Sequence, residues 1–379
     1  MNGRGMRGAA VAAAMAGALA MPAHAADYIA NNFLDQNHPL SVWNYTEWSK
    51  EVAKATNGAL NFKVFLGGSL VPARATLPGI RDGLATVAYH AGTYTPSELP
   101  VTNVLADMSL YNSDIFISMA ASTEVSFKNA AIQAEYKKVG VVYGGGYSTA
   151  PYLLLCRTKI GSLAELKGKR LRMPGSLWDR WAVSLGGVSV NVPSSEIFTG
   201  LERGTLDCGM NPLESLKSRS WWDVAKYVVD LPLGVYFSGP MWGYNPGFWK
   251  GLTADQRAIL FDHTARAMVR ASIAYLKNTE ETEKEMGGKG VTMVKPTADL
   301  IAASEKFIDA DSKELGKMSQ QKFKVDLPVA EGVIAEYKAS VEKWTKLFAG
   351  MGPMDEQRRY EVLKKELFDK VDTKTYGLN

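Results

Sequence analysis

Apolar and polar residues alternate with two different periods along the chain. Between residues 41 and 56, apolar side chains recur at helical spacing, and Asn57-Gly58 follows as a stop signal. Residues 60–65 alternate in the manner of a half-buried strand. The same reasoning predicts further helices over residues 73–82, 114–138, 253–286, 300–318 and 329–348, and further strands over residues 27–33, 86–89, 139–143 and 152–156.

This alternation of helices and strands indicates an α/β protein with helices flanking each sheet. The Gly144-Gly145-Gly146 triplet is a candidate crossing between two units, and residues 228–236 are expected to run back. Two crossings are typical of two lobes that share a hinge. We expect one lobe to contain residues 26–146 and 237–290, the other to contain residues 147–236 and 291–328, and a C-terminal helical segment to cover residues 329–379.

The N-terminus has the composition of a secretory signal over residues 1–25. Arg4 and Arg7 precede an apolar stretch over residues 8–21, and Ala23-His24-Ala25 fits a cleavage site. A transmembrane anchor is the alternative, but the stretch is too short to span a bilayer. We therefore expect a mature chain that begins near Ala26, is not embedded in the membrane and resides in a bacterial periplasm.

Charge argues against a nucleic-acid partner. Removing Arg4 and Arg7 from the 43 Lys and Arg residues leaves 41 against 39 acidic residues, which is nearly neutral. Nucleic-acid binding requires clustered basic residues, and no such cluster is present. The remaining length is enough for two domains, each with its own core.

Residues 166–213 carry the most informative chemistry. Arg172 ends a predicted strand just before a Pro-Gly turn, residues 192–196 form a second turn that opens a helix, and Asn211-Pro212 closes another strand. Strand ends in an open α/β sheet face a common crevice. A guanidinium and a carboxamide that converge there can bind a carboxylate.

This segment closely resembles the second-domain signature of TRAP-transporter solute-binding proteins. The family pattern is an LKG-K-hydrophobic-Arg-hydrophobic-Pro strand, a Ser-Glu helix start and an Asp-Gly-x-x-Asn-Pro strand. Residues 169–174, Ser195-Glu196 and residues 206–212 occupy those positions, with Arg170 and Cys208 as departures. First-domain patterns at residues 56–58 and 66–70 match as well, so the resemblance covers nearly the whole mature chain.

The resemblance implies a two-lobed periplasmic binding protein fold of type II, with long C-terminal helices packed across the lobes. It also implies a role in uptake: the lobes close over a small organic acid, and the closed form docks on the membrane subunits of a TRAP transporter. No catalytic residue or cofactor is expected. No metal-binding residue is expected either, although some members of the family bind their ligand through a cation and the sequence leaves that alternative open.

Arg172 is the expected carboxylate ligand. Strand alternation places Arg170 on the same face, so the pattern alone does not separate the two, whereas the family pattern favours Arg172. Asn211 is the second candidate, although an Asn-Pro turn is a common structural device. The remaining candidates are Tyr89, His90 and Tyr94 after a first-lobe strand, Asn37 and His38 in the turn at residues 35–39, Arg74 after Gly67-Gly68, and Tyr152, Trp178 and Ser194 in the second lobe. Structural roles remain open for these: a lone histidine is often a satisfied core residue, and Arg74 could be a solvent-exposed helix arginine.

Two features favour a monocarboxylate with an apolar, aromatic or hydroxylated body. Some family members carry a second cleft arginine on the first strand of the second domain, and residues 147–152 contain none. Several tryptophans, including Trp178, occur in the same half of the chain. They could line an aromatic binding wall or simply pack the core.

Cys156 and Cys208 are the only cysteines, and each lies on a predicted strand of the same half of the chain. In an oxidising compartment we expect a disulfide, which would stabilise the fold by roughly 3–4 kcal/mol. The alternative is two separate buried thiols. A metal site is not expected, because no histidine is near either cysteine in sequence.

The alternatives to uptake are a secreted hydrolase and a ligand-sensing partner of a membrane receptor. A secreted hydrolase would need a catalytic motif, and the chain has neither a G-x-S-x-G elbow nor an H-E-x-x-H motif. The mature chain has only three histidines, His38, His90 and His263. A ligand-sensing partner of a membrane receptor could share the same fold, and the sequence does not separate sensing from transport.

Overall fold

The computed structural model describes residues 27–378, so the expected signal segment and the start near Ala26 lie outside the described residues. The strands are β1 (Asp27–Asn31), β2 (Asn61–Phe65), β3 (Val87–Ala88), β4 (Val142–Tyr143), β5 (Tyr152–Cys156), β6 (Arg170–Arg172), β7 (Val188–Val190), β8 (Cys208–Pro212), β9 (Tyr227–Val229), β10 (Gly243–Tyr244) and β11 (Thr292–Val294). The helices are α1 (Pro39–Ser41), α2 (Trp48–Ala55), α3 (Thr76–Arg81), α4 (Pro100–Ala106), α5 (Ile115–Lys128), α6 (Ala130–Lys138), α7 (Leu163–Leu166), α8 (Ser176–Ser184), α9 (Ile197–Glu202), α10 (Ser215–Ser218), α11 (Pro246–Gly251), α12 (Ala254–Met286), α13 (Ala298–Phe323), α14 (Leu327–Leu347) and α15 (Glu356–Glu366).

The strands form two mixed sheets, one in each lobe. The first sheet has the order β2-β1-β3-β10-β4, and the second has the order β11-β9-β5-β8-β6-β7. In the first sheet β1 pairs in parallel with β2 and β3, whereas β10 runs antiparallel to β3 and β4. In the second sheet β6 pairs in parallel with β7 and β8, and β5 runs antiparallel to β8 and β9. The two-lobed α/β fold expected from the sequence is therefore confirmed.

Two crossing segments run side by side between the sheets. The chain leaves the first sheet after β4 and returns before β10, and the two connections are bonded to each other: Thr149 N–H donates to Tyr236 O at 3.0 Å, and Gly144 N–H donates to Trp242 O at 2.7 Å. A Cβ atom on Gly144 would lie 2.2 Å from the Tyr244 ring, so close packing explains this glycine. The long helix α12 makes a third connection, from β10 to β11.

The predicted helix over residues 114–138 is wrong as a single element. It is divided at Asn129, which has extended backbone angles (φ −70°, ψ 118°) between α5 and α6. The Asn129 side chain accepts a hydrogen bond from the Ile132 N–H at 3.0 Å. Asparagine favours this N-cap position because its side chain satisfies an otherwise unpaired helix N–H. The predicted strand over residues 139–143 also shortens, to β4, and β9 lies at the start of the returning segment over residues 228–236.

The C-terminal helices connect the lobes. Helix α13 packs against α4 of the first lobe and α7 and α8 of the second, while α14 packs on α4 and α5. A buried carboxylate, Glu124 of α5, anchors α14: it accepts hydrogen bonds from Ser340 Oγ at 2.8 Å, Lys343 Nζ at 2.7 Å and Trp344 Nε1 at 2.7 Å. Hydrogen bonds to a charged acceptor are stronger than neutral ones. This packing agrees with the long C-terminal helices that the resemblance implied.

Candidate functional site

Arg172 lies at the carboxyl end of β6, and its side chain is buried, with 1% of the residue exposed. Nε donates to Val192 O at 2.9 Å, and Nη1 donates to Met210 O at 3.0 Å. Nη1 also lies 3.4 Å from Asn211 Oδ1. Because β6 and β8 are parallel neighbours, their carboxyl ends place Arg172 beside Asn211, as the positions of the two strands predicted.

This guanidinium is buried without an acid. No carboxylate of the described residues lies within 4.0 Å of Arg172, and its partners are carbonyls, an amide and a hydroxyl. At least one of its five N–H groups remains unused by these bonds. Asp179 acts on Arg172 electrostatically but makes no ion pair with it, so an anion that enters this site and contacts the guanidinium would be favoured. The unused N–H on Nη2 can donate to one carboxylate oxygen, and a bidentate pair would require one of the present acceptors to leave.

Asn211 orients the guanidinium. Its Oδ1 faces Arg172, while its Nδ2 donates to Ser215 Oγ at 2.8 Å. The bond to Ser215 fixes which end of the amide points toward the arginine. Asn211 therefore contacts Arg172 through its oxygen in this conformation.

Tyr94 brings the first lobe to the same point. Its hydroxyl accepts hydrogen bonds from Arg172 Nη2 and from the Ser194 backbone N–H, each at 3.0 Å. Arg74 adds a second bridge nearby, because Nη1 donates to Tyr94 O at 2.6 Å and Nη2 to Asn191 O at 3.1 Å. Three candidates, Tyr94, Arg74 and Ser194, thus meet where the lobes touch.

Aromatic rings form a continuous series across the site. Phe33 stacks on Tyr89 with centroids 4.7 Å apart, and Tyr89 meets Tyr147 edge-on at 5.1 Å. In the second lobe, Tyr152 stacks at 5.7 Å on Trp178 and at 5.7 Å on Tyr236. The ring series places three predicted candidates, Tyr89, Tyr152 and Trp178, beside residues that the sequence did not single out. Such surfaces suit a flat or apolar ligand body.

His90 is buried among neutral groups. Nε2 lies 2.9 Å from Thr95 Oγ1, and Nδ1 has no partner within residues 27–378. Burial lowers the pKa of His90 to about 3, so the ring is neutral at physiological pH. A neutral imidazole can offer one donor or one acceptor, but it supplies no charge to bind an anion.

The two candidates in the turn at residues 35–39 lie in different environments, one buried and one exposed. His38 is buried and caps helix α1, because Nδ1 accepts from the Leu40 N–H at 3.2 Å. Burial, and then the charge of Arg219, lowers the pKa of His38 well below its usual value. Asn37 is exposed. His38 therefore faces the interior near Arg219, whereas Asn37 is not brought together with Arg172.

Sequence reasoning missed several residues of this region. Arg219, which follows α10, is buried and donates from Nε to Asp35 Oδ2 of the first lobe at 2.5 Å. Tyr236 Oη lies 2.7 Å from Thr93 Oγ1, also across the lobes. Asp35 belongs to the turn already singled out, and Tyr236 to the predicted return crossing, so position along the chain was the available signal.

The expected disulfide is confirmed. Cys156 and Cys208 are bonded to each other and join β5 to β8, where the two residues are cross-strand partners. Within residues 27–378, no group of three or more His, Cys, Asp or Glu side chains is arranged to hold a metal ion. In the same range, no helix has the length and hydrophobicity that crossing a bilayer requires.

Comparison with known proteins identifies the family. The model of bacterial extracellular solute-binding protein family 7, DctP, matches residues 32–318, which is most of the chain. The chain therefore belongs to this family of solute-binding proteins, and the resemblance to TRAP solute-binding proteins is confirmed.

Individual relatives are distant in sequence. A solute-binding protein of Albidiferax ferrireducens is 24% identical over 196 residues, which span 50% of this chain and 55% of that protein. A TRAP periplasmic solute-binding protein of Bordetella bronchiseptica, solved with bound (R)- and (S)-mandelate, has a TM-score of 0.72 at 19% identity and covers 84% of this chain and 99% of its own. One from Rhodoferax ferrireducens, in complex with benzoate, has a TM-score of 0.75 at 16% identity and covers 85% of this chain and 99% of its own. At these identities the structural likeness supports the fold.

Proposed function

We propose that this protein is the periplasmic solute-binding subunit of a TRAP transporter, and that it captures a small organic acid between its lobes. The observation that carries the proposal is the buried Arg172 guanidinium, which has only neutral partners among the described residues. Arg172 neutralises and orients the ligand carboxylate, and Asn211 holds the guanidinium in place. The closed complex then docks on the membrane subunits of the transporter.

The ring series supports an acid with an apolar or aromatic body. Tyr89 stacks on Phe33, and Tyr152 stacks on both Trp178 and Tyr236. The structural neighbours described above hold mandelate and benzoate, two aromatic monocarboxylates. We infer a ligand of this size class.

Hydrogen bonds that join the two lobes support closure over the ligand, because separating the lobes would break them. Tyr94 and Arg74 of the first lobe reach Arg172, Ser194 and Asn191 of the second. A ligand shifts the equilibrium toward closure only when it binds the closed state more tightly than the open one. A carboxylate on Arg172 that also touches first-lobe side chains meets this condition.

A thermal-shift screen tests the proposal. Mature protein is unfolded, dialysed and refolded to remove any bound acid, then heated with carboxylates, sugars, amino acids and peptides. A ligand at a hundred times its Kd stabilises by about 2.7 kcal/mol, which is a visible rise in Tm. We expect stabilisation by carboxylates alone. Stabilisation by neutral sugars or peptides, with none by any acid, would contradict the proposal.

A further inference from the structure

Arg219 is a second buried guanidinium between the lobes. Only 3% of its side chain is exposed, and its one hydrogen bond among the described residues is the bond from Nε to Asp35. Nη1 is buried and has no partner within residues 27–378. A buried N–H without an acceptor costs about 1–3 kcal/mol. A hydrogen bond from this nitrogen to a ligand oxygen would remove that cost.

The position of Arg219 connects it to the carboxylate site. It lies one residue beyond α10, whose first residue Ser215 accepts the hydrogen bond from Asn211. Burial raises the pKa of Tyr152 well above its usual value, and the positive charges of both Arg172 and Arg219 oppose that rise. The charges of both guanidiniums therefore act on the same phenol. Arg219 is also held over the Trp221 ring, 4.7 Å from its centroid.

Three acids lie near these two arginines, but only Asp35 is within ion-pair distance of either one among the described residues. Asp35, which pairs with Arg219, has a side chain that is 48% exposed. The second acid, Glu214, is buried, and its Oε2 has no partner within the described residues. Burial raises the pKa of Glu214 to about 7, so this carboxyl is partly protonated at neutral pH. Asp179 acts on Arg172 electrostatically without an ion pair, so the half-exposed Asp35 carboxylate is the one close counter-ion of the two guanidiniums within residues 27–378.

We propose that Arg219 is a specificity-determining ligand contact that binds a second oxygen of the substrate. The preferred substrates are small acids that carry a hydroxyl, carbonyl or second carboxylate group beyond the carboxylate on Arg172. This inference rests on the proposed function. It changes the expectation drawn from residues 147–152, where no second arginine occurs, because Arg219 supplies the second cation from a different element.

Matched pairs of acids test the inference by calorimetric titration. The pairs are phenylacetate and mandelate, benzoate and 3-hydroxybenzoate, and butyrate and succinate; the first two pairs add a hydroxyl and the third adds a carboxylate. For wild-type protein, we expect the acid with the extra oxygen to bind at least tenfold more tightly in one or more pairs. Arg219→Met is expected to reduce that preference to about twofold or less.

Two further variants separate ligand contact from a structural role. Arg219→Lys keeps the charge and is expected to retain part of the preference, and unfolding scans establish that both Arg219 variants fold. Arg74→Met removes interlobe hydrogen bonds from another arginine, so we expect both members of a pair to weaken by a common factor.

Two results would overturn the inference and leave the proposed function standing: equal binding within every pair by wild-type protein, or a preference that survives Arg219→Met. Failure of every acid to bind would contradict the proposed function, and the inference with it.

Discussion

Tyr94 and Arg172 belong to different lobes, and the Tyr94 hydroxyl accepts a hydrogen bond from Arg172 Nη2 at 3.0 Å. The same hydroxyl accepts from the Ser194 N–H, so one oxygen of the first lobe binds two donors of the second. Under the proposed function, this contact couples closure of the lobes to the orientation of Arg172. A guanidinium held from both sides is already oriented when the ligand is enclosed.

Removing the Tyr94 hydroxyl should weaken ligand binding. A hydrogen bond to a charged group contributes about 1.5–3 kcal/mol, so we expect Tyr94→Phe to raise Kd roughly tenfold or more. Calorimetry with the acid that stabilises wild-type protein measures the change. Tyr111→Phe, at an exposed tyrosine with 46% of its surface accessible, is the matched control and should bind normally. Equal affinity of the Tyr94 and Tyr111 variants would argue against the coupling.

The disulfide should contribute strongly to stability. Cys156 and Cys208 are separated by 52 residues, and closing a loop of that size stabilises by about 3–4 kcal/mol on the chain-entropy model. We expect the double variant Cys156→Ala with Cys208→Ala to lose about this much unfolding free energy in urea titrations. Wild-type protein titrated with a reductant should lose a similar amount. An unchanged urea midpoint in both experiments would show that the bond does not stabilise the fold.

Glu124 should make the packing of α14 sensitive to acid. Burial opposes ionisation, but hydrogen bonds from Lys128, Lys343 and Ser340 lower the pKa of Glu124 from 4.5 to about 2. A carboxyl with a lowered folded-state pKa stabilises the fold above its unfolded pKa, and this contribution is lost as pH falls toward 2. We therefore expect wild-type protein to be more stable than Glu124→Gln at pH 7, and the gap to narrow below about pH 4.5.

Thermal unfolding of both proteins between pH 7 and pH 2.5 measures that gap. The control for a general change of charge is Glu336→Gln, which replaces an acid of helix α14 itself. A gap between wild type and Glu124→Gln that stays constant across this range would contradict the assignment.

Local patterns predicted most elements of the fold. They failed where a single residue or a tertiary contact determines where an element begins or ends. The helix predicted over residues 41–56 is present as α1, a π-helical turn over Val42–Glu47 and α2. The helix predicted over residues 114–138 is interrupted at Asn129. Asparagine is tolerated inside a helix, but its side chain can also cap the start of a new helix, as it does for α6. An apolar period on both sides of such a residue does not show the break.

The candidate site was predicted in part for a similar reason. Arg172 and Asn211 end neighbouring strands, so strand topology brings them together. Arg219 follows Leu216-Lys217-Ser218, and nothing in this local sequence predicts that the arginine is enclosed. The enclosure depends on contact with Asp35, 184 positions earlier in the chain. Contacts across such distances depend on how the lobes meet, which no local pattern records.

The most direct test of the carboxylate site compares two neighbouring arginines of β6. Arg172 is buried without an acid, whereas the side chain of Arg170 is 46% exposed and pairs with Asp207 at 3.2 Å. We expect Arg172→Met to weaken binding of the stabilising acid about 100-fold or more, because the enclosed carboxylate loses its counter-ion. Arg170→Met should bind within about twofold of wild type, since a surface ion pair contributes little. If calorimetry instead finds full affinity in the Arg172 variant, or an equal loss in both, the assignment of Arg172 as the carboxylate ligand is wrong.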